Sequence, residues 1–230
     1  MQFRRFTERP DNPYRLGRHQ VHDALPAHLA AVEDLFSPIR SASHAEAQPC
    51  FDQGQIGSCT ANAALGTLVT EPFAVAGRTF TEADAVALYT LETQLDDSQI
   101  PGQYPPDDTG SSGAWSMQAL QRKGLIRSYR HTTSVHTALR MLARGPISIG
   151  VPWYQSMFQV GPDNRIVVNP ASGLAGGHQV CVVAVDAEAQ TVRIRNSWGT
   201  GWADQGHALL SWADLETLFA QGGDAVQPEV

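Results

Sequence analysis

The chain changes its residue pattern at Gly145-Pro146, and this change constrains the fold more than any other feature. Before it, cap residues and helical spacing predict four helices, over residues 58–70, 81–95, 112–123 and 134–143. After it, β-branched and apolar runs predict five strands, over residues 147–151, 165–168, 179–185, 192–195 and 207–211. Helices that precede strands are typical of an α+β fold. We therefore expect a helical lobe and a sheet lobe with a cleft between them.

The first 24 residues are polar and include Pro10, Pro13 and Gly17, which predicts an N-terminal arm without a core of its own. The rest, residues 25–230, is predicted as one domain with a mainly helical lobe over about 25–144 and a mainly β lobe over about 145–218. A further short helix is predicted over residues 28–36. Two roles stay open for the arm, since it either lies across the cleft or docks on a partner protein in a larger assembly.

Composition excludes several classes of function. The net charge of -7 argues against a nucleic-acid partner, because phosphate binding requires clustered lysine and arginine. No apolar run approaches the ~20 residues of a membrane span, and no apolar segment follows the basic N-terminal residues as in a secretory signal. The odd count of 3 cysteines argues against a disulfide framework. These features predict a cytoplasmic protein, and a composition rich in alanine, glycine and arginine hints at a bacterial or phage origin.

Three separated segments carry the residues of one thiol chemistry. They are Gln53-Gly-Gln-Ile-Gly-Ser-Cys59, Gly176-Gly-His178 and Asn196-Ser-Trp-Gly-Thr-Gly-Trp202. A thiol becomes a good nucleophile when it ionises, and a helix start and a neighbouring imidazole both favour the thiolate. An asparagine that accepts a hydrogen bond from one ring nitrogen leaves the other nitrogen facing the sulfur. A glutamine amide and the backbone N–H of the cysteine together form an oxyanion hole.

These motifs resemble those of the papain-like (C1-type) cysteine peptidases. The spacing is also similar, because His178 follows Cys59 by 178 − 59 = 119 residues and Asn196 follows it by 196 − 59 = 137 residues. The resemblance implies a papain-like two-lobe fold, with a helical left lobe and an antiparallel β-barrel-like right lobe. It implies a polypeptide substrate and no metal or other cofactor. It implies that Cys59 is the nucleophile, that His178 is the acid/base and that Asn196 orients His178. Gln53 would form the oxyanion hole, and Trp198 would cover the His–Asn pair. Gly177 and Gln179 would bind the substrate.

The chain departs from the family pattern in four places. Ile56 stands where the family usually has a cysteine, and Thr60 stands where it usually has an aromatic residue. Only 58 residues precede Cys59, so we expect the family's long inhibitory pro-segment to be missing. The residue after the histidine often lines a substrate pocket, and the polar Gln179 there puts a preference for a large apolar side chain in doubt.

Peptide-bond hydrolysis is the main hypothesis, and two alternatives stay open. The scaffold is a binding or structural component with little turnover, or the same thioester transfers its acyl group to an amine. Two minor motifs carry no strong functional prediction. They are His19-x-x-His22-Asp23, a weak metal motif without a supporting partner, and the turn at residues 104–108.

Overall fold

The computed structural model describes residues 3–21, 29–31, 37–96, 100 and 102–230. Five helices lie in these residues: α1 (Cys59–Leu68), α2 (Glu82–Leu95), α3 (Gly113–Arg122), α4 (Val135–Met141) and α5 (Trp212–Ala220). The strands are β1 (Phe3–Arg4), β2 (Gln20–Val21), β3 (Ala42–Ser43), β4 (Ser128–Thr132), β5 (Ile147–Tyr154), β6 (Leu174–Asp186), β7 (Thr191–Arg195), β8 (His207–Ser211) and β9 (Asp224–Glu229). None of these helices is long and apolar enough to span a membrane. The helix predicted over residues 28–36 lies mostly outside the described residues.

Local cap signals place most helix starts where the sequence predicts them. Thr81 forms a reciprocal capping box with Asp84 at the start of α2. Ser112 and Ser134 accept backbone hydrogen bonds at the starts of α3 and α4. Ser58 precedes α1 as predicted, but its side chain does not cap the helix, and it accepts a hydrogen bond from Asn62 Nδ2 at 3.1 Å.

The strands β4, β9, β5, β6, β7 and β8 follow one another in a twisted antiparallel sheet, and β3 adds to β6. Among the described residues this sheet is open, since β4 and β8 lie at opposite ends and do not pair, so the β-barrel-like closure implied by the resemblance is not found. The strand predicted over residues 165–168 is wrong. Arg165 and Ile166 make single bridges to Leu209 and Val160, because a turn with Asn164 at φ 59° and Pro170 bound the segment.

Two cores cover the two faces of the sheet. One core contains the apolar residues of α1, α2 and α3, and the other contains α4, α5 and the apolar side chains of β5 to β8. Alternation along β5 divides its side chains between the faces, so Ile149 and Val151 enter the second core while Ser148 and Gly150 face the other way. Leu16 of the N-terminal arm is fully buried in that second core. The arm therefore packs into the domain although it has no core of its own.

Candidate active site

Cys59, the predicted nucleophile, is the first residue of α1 and is completely buried. All ten residues of α1 are buried, as its small side chains predict, because the helix lies between α2, α3 and the sheet. Gly66 permits the close approach, since a Cβ there would lie 3.1 Å from Cys181 Cβ on β6. This packing places the thiol at a helix N-terminus, where free N–H groups favour an anion.

His178 lies on β6 and Asn196 directly follows β7, the neighbouring strand. His178 Nε2 and Asn196 Oδ1 are 2.8 Å apart. Asn196 is itself held by the Ser197 backbone N–H, which donates to the same Oδ1 at 2.8 Å. His178 Nδ1 makes no hydrogen bond to any described residue. The amide therefore fixes the ring through Nε2 and leaves Nδ1 as the nitrogen available for proton transfer.

Aromatic rings enclose the His178–Asn196 pair. The Trp198 ring stacks on the His178 ring with centroids 4.7 Å apart and planes at 19°. Trp153 contacts the His178 ring edge-on at 4.8 Å. Trp198 therefore lies where the sequence predicts a cover, and it shields the pair from water.

Gln53 is held by hydrogen bonds on both sides of its amide. Its Oε1 accepts from Ser197 Oγ at 2.6 Å, which directs Nε2 away from that side. Nε2 donates to the carbonyl oxygens of Ile56 at 2.9 Å and Arg15 at 3.2 Å. The predicted oxyanion donor thus already has a carbonyl oxygen from the arm as its acceptor.

Burial sets the ionisation of the thiol and the imidazole. Burial raises the pKa of Cys59 to about 12, and a hydrogen bond from the Gln179 backbone opposes the rise. Burial lowers the pKa of His178 to about 4, although the hydrogen bond that the ring donates to Asn196 Oδ1 acts to raise it. Gln179 directly follows His178 on β6. Its backbone hydrogen bond to the thiol therefore places Cys59 beside this part of the strand. Both groups are neutral near pH 7 in this covered arrangement.

The N-terminal arm covers these residues. The Tyr14 ring stacks on Trp198 with centroids 4.4 Å apart and planes at 9°. The backbone N–H groups of Gly17 and Arg18 donate to Gly177 O at 3.1 and 2.9 Å. Gly177, a predicted substrate-binding residue, lies so close to the arm that a Cβ there would be 2.2 Å from Arg18 O. The described part of the arm therefore packs against Trp198 and Gly177, and the two roles predicted for it stay predictions.

Gln179, the other predicted substrate-binding residue, is completely buried on the opposite face of β6 from His178. Its Nε2 donates to Ser148 Oγ at 2.8 Å, and its Oε1 makes no hydrogen bond to any described residue. The side chain therefore directs an acceptor into the space between β6, β5 and β9.

No sequence pattern indicates Glu92, whose side chain binds Thr60, the residue after Cys59. Glu92 on α2 is fully buried, and Thr60 Oγ1 donates to its Oε2 at 2.5 Å. Burial raises the pKa of Glu92 to about 8 against that hydrogen bond. A carboxyl in the middle of an amphipathic helix is normally read as a surface residue, which is why the pattern misses it.

Asp108 was also missed, because it lies in the turn at residues 104–108 that the sequence predicts as plain surface. Its carboxylate accepts from the Gly57 N–H at 2.9 Å and from Tyr89 Oη at 2.7 Å. It also pairs with Arg15 of the arm at 2.7 Å. This carboxylate thus links the loop before Cys59 to the arm.

Among the described residues, Glu46, Cys50 and His207 have ligand atoms close enough to hold a metal ion. Glu46 Oε2, however, already accepts from His207 Nε2 at 2.8 Å and from Arg195 Nη1 at 2.7 Å. Glu46, Arg195 and His207 therefore form an ion-pair network. Of the predicted His19-x-x-His22-Asp23 motif, His19 Nε2 lies 2.6 Å from Thr109 O, and His22 and Asp23 lie outside the described residues.

Two solved structures have a similar fold. Xylellain, a cysteine protease from Xylella fastidiosa, aligns with a TM-score of 0.67 at 17% identity, over 96% of this chain and 98% of that chain. proCathepsin B S9 from Trypanosoma congolense aligns with a TM-score of 0.63 at 14% identity, over 94% of this chain and 87% of that chain. No protein-family model and no curated protein matches the chain. At these identities the likeness concerns the fold, and the chain has the papain-like α+β two-lobe fold that its motifs predict.

Proposed function

We propose that this protein is a cysteine peptidase, with Cys59 as nucleophile, His178 as acid/base and Asn196 as the residue that orients His178. The observation that carries the proposal is the His178–Asn196 hydrogen bond of 2.8 Å beneath Trp198. This hydrogen bond leaves Nδ1 of the buried His178 ring without a partner. The next residue on β6 is Gln179, whose backbone makes a hydrogen bond to the Cys59 sulfur. A buried polar atom without a partner is costly, so its presence favours a functional role.

The reaction follows from these positions. His178 takes the thiol proton, and the Cys59 sulfur forms a bond to the substrate carbonyl carbon. Gln53 Nε2 and the Cys59 N–H donate to the oxygen that becomes negative. The imidazolium returns the proton to the departing amine, the C–N bond breaks, and a thioester remains. Water then loses a proton to His178, attacks the thioester and releases the carboxylic acid and the thiol.

The arm makes the described state a latent one. Arg15 O takes the hydrogen bond from Gln53 that a substrate oxyanion requires, and Tyr14 covers Trp198. Because water is excluded, the neutral thiol and imidazole are the stable forms. Displacement of the arm admits water and substrate and favours the ion pair that the reaction needs.

The test is hydrolysis of a peptide library by the full chain, together with iodoacetamide labelling mapped by mass spectrometry. We expect slow cleavage and slow labelling at Cys59, through the molecules whose arm is displaced, and both should be lost in Cys59→Ala. The matched control is Cys181→Ala, which removes another buried thiol and should keep both signals. Hydrolysis that persists in Cys59→Ala would refute the assignment.

The occupied cleft favours one second candidate, a papain-fold binding component with little turnover. In that case the arm stays in place, and the chain co-elutes with a stoichiometric partner while Cys59 labels no faster than a model thiol. Acyl transfer from the same thioester is a third outcome of the library assay. It is distinguished by a product mass that contains the added amine.

A further inference from the structure

A second cysteine–histidine pair lies outside the candidate active site. Cys50 lies in the segment before α1, and His207 is the first residue of β8. Cys50 Sγ is 3.7 Å from His207 Nε2, and Glu46 Oε2 is 2.8 Å from the same nitrogen. The ligand atoms of these three side chains all lie within 4.8 Å of one another. A thiol, an imidazole and a carboxylate therefore converge on one small volume.

The three groups match the ligands of zinc in type and in spacing. Thiolate, imidazole and carboxylate bind Zn²⁺, and a thiolate suits this ion better than Mg²⁺ or Ca²⁺. Tetrahedral bonds of about 2.3 Å to sulfur and about 2.0 Å to nitrogen and oxygen place S and N about 3.6 Å apart, and N and O about 3.3 Å apart. The Sγ–Nε2 distance of 3.7 Å fits this geometry. The Nε2–Oε2 distance of 2.8 Å is shorter, because a proton and not a metal bridges these two atoms.

Hydrogen bonds already orient both His207 and Glu46 for a metal. His207 Nδ1 is 3.1 Å from Gln205 O, so this nitrogen donates to the carbonyl and Nε2 becomes the ligand atom. Arg195 Nη1 donates to Glu46 Oε2 at 2.7 Å. A carboxylate oxygen has two lone pairs, and the one that now accepts from His207 is the one that the ion takes. The cluster thus has the outer hydrogen bonds that fix metal ligands in proteins.

The positive charge of Arg195 does not exclude the ion. Its Nη1 also donates to Gln48 O at 2.8 Å, and its Nη2 donates to Pro49 O. These bonds to carbonyl groups do not depend on the proton of His207. The Cys50 thiolate and the Glu46 carboxylate together carry two negative charges, which balance a divalent cation. The loaded site therefore presents no net positive charge to the guanidinium.

The cluster has room for the ion and a path to it from solvent. A Cβ at Gly206, which has φ 87°, would lie 2.5 Å from Cys50 Sγ, so only a glycine leaves the space beside the sulfur. The side chains of His207 and Glu46 are 9% and 13% exposed. The site thus lies just below the surface, where water can complete a set of three protein ligands.

We propose that Glu46, Cys50 and His207 form a binding site for Zn²⁺, with water as the fourth ligand. The ion replaces two protons, that of the Cys50 thiol and the one between His207 and Glu46, and both protons leave to solvent. Bound zinc cross-links residues 46–50, which lead into the loop of Gln53, to the start of β8. Its role is structural. The proposal is independent of the peptidase function, because none of the three ligands takes part in the proposed reaction.

The first measurement is calorimetric titration of the full chain with Zn²⁺ after treatment with a chelator. It is made in Cys59→Ala, so that the thiol of the candidate active site cannot bind the metal. We expect one Zn²⁺ per chain and a rise in Tm on binding. Adding Cys50→Ala should weaken the affinity more than about tenfold and abolish the rise in Tm. Adding Cys181→Ala, the matched control, removes a buried thiol outside the cluster and should change neither.

The second measurement identifies the ligands by replacing Zn²⁺ with Co²⁺. A cobalt–thiolate bond gives a charge-transfer absorption band in the near ultraviolet, and tetrahedral coordination gives intense visible bands. Both should be present in Cys59→Ala and in Cys59→Ala/Cys181→Ala. The charge-transfer band should be lost in Cys59→Ala/Cys50→Ala. If that variant does not fold, Cys59→Ala/His207→Gln keeps the thiol and should lose the tetrahedral bands.

Each remaining outcome overturns the site. Zinc affinity that is unchanged by Cys50→Ala would mean that the metal binds elsewhere. Binding by the wild type that disappears in Cys59→Ala would place the metal at the candidate active site. No binding by any variant would mean that the cluster is only an ion-pair network. None of these results bears on peptide hydrolysis, which the library assay tests separately.

Discussion

Two buried histidines of the same sheet have opposite electrostatics. His178 faces the neutral Asn196 amide, and burial lowers its pKa to about 4. His207 faces the Glu46 carboxylate, and although burial acts to lower its pKa, hydrogen bonds to Cys50 and Glu46 raise it to about 9. The two rings are 0% and 7% exposed, so burial alone does not separate them. The partner decides which protonation state the fold stabilises.

A buried glutamate and a half-buried one repeat the contrast. Glu92, behind Cys59, accepts from the neutral Thr60, and burial raises its pKa to about 8. For Glu46, burial acts to raise the pKa, but His207 and Arg195 outweigh it and lower the pKa. The region around the candidate active site thus keeps its groups neutral, whereas the Glu46 cluster keeps its groups charged.

The largest expected effect comes from a substitution that removes the carboxylate of the charged Glu46 cluster. Glu46→Gln leaves Arg195 and His207 without their carboxylate, and we expect a loss of about 3–5 kcal/mol in the free energy of unfolding at pH 7. The pKa of His207 is raised in the folded state, so its stabilisation is full below about pH 6.5 and is lost as pH rises through about 9. That part of the pH dependence should vanish in the variant.

Urea unfolding across pH measures both effects. Asp163→Asn is the control, because Asp163 forms an exposed ion pair with Arg165 at 3.1 Å. Removal of such a pair should cost less than about 1 kcal/mol. Equal stability losses in the two variants would contradict the contrast between the regions.

A second substitution tests the neutral region. Because the pKa of Glu92 is raised from 4.5 to about 8, its contribution to stability is present below pH 4.5 and is lost as pH rises to about 8. Glu92→Gln is neutral at every pH, so we expect it to be more stable than wild type by about 3 kcal/mol at pH 7. Thermal unfolding from pH 4 to 9 measures the difference, with the exposed Glu216→Gln as control. A variant less stable than wild type at pH 8 would overturn the assignment.

A third substitution replaces the neutral partner of the active-site histidine by a charged one. Asn196→Asp gives His178 a carboxylate partner like that of His207. We expect the pKa of His178 to rise by about 1–3 units. NMR titration of the ring measures it, and Asn169→Asp, at an exposed 3₁₀ turn, is the control. An unchanged titration would mean that burial, and not the partner, sets the protonation state.

The smallest expected effect concerns the arm. Tyr14→Ala removes the stacking on Trp198, which is worth about 0.5–1.5 kcal/mol beyond area burial. We expect iodoacetamide labelling of Cys59 to rise about two- to tenfold, because the covered state becomes less stable. Tyr14→Phe keeps the ring and should label like wild type. Equal rates in all three proteins would indicate that the arm does not limit access to the thiol.

Features encoded within a few residues could be predicted from the sequence. The capping box at Thr81 and the serine caps of α3 and α4 locate three helix starts. The small residues after Cys59 predict a buried helix, and the Gly145-Pro146 boundary predicts the change to strands. The motif around Asn196 was sufficient to recognise the fold, because its residues are adjacent in the chain.

Features that depend on strand order could not be predicted. Residues 165–168 have strand propensity, but the turn at Asn164 and the 3₁₀ turn that begins at Pro170 bound the segment, so only single bridges form. The strand β9 was missed because Pro228 and polar residues interrupt its pattern, although it pairs with both β4 and β5. Arg18 meets Asp224 because β9 lies beside β5, so this contact has no local sequence signal.

The sequence by itself determined which chemistry is available, since the thiol, imidazole and amide are present in motifs whose spacing is typical of one fold. The tertiary structure decided the charge state of each group and what covers it. The physical reason is that desolvation and Coulomb interactions depend on distances between residues far apart in the chain. His178 and His207 lie on strands of the same sheet, and the amide or carboxylate that the fold brings to each ring sets its protonation state.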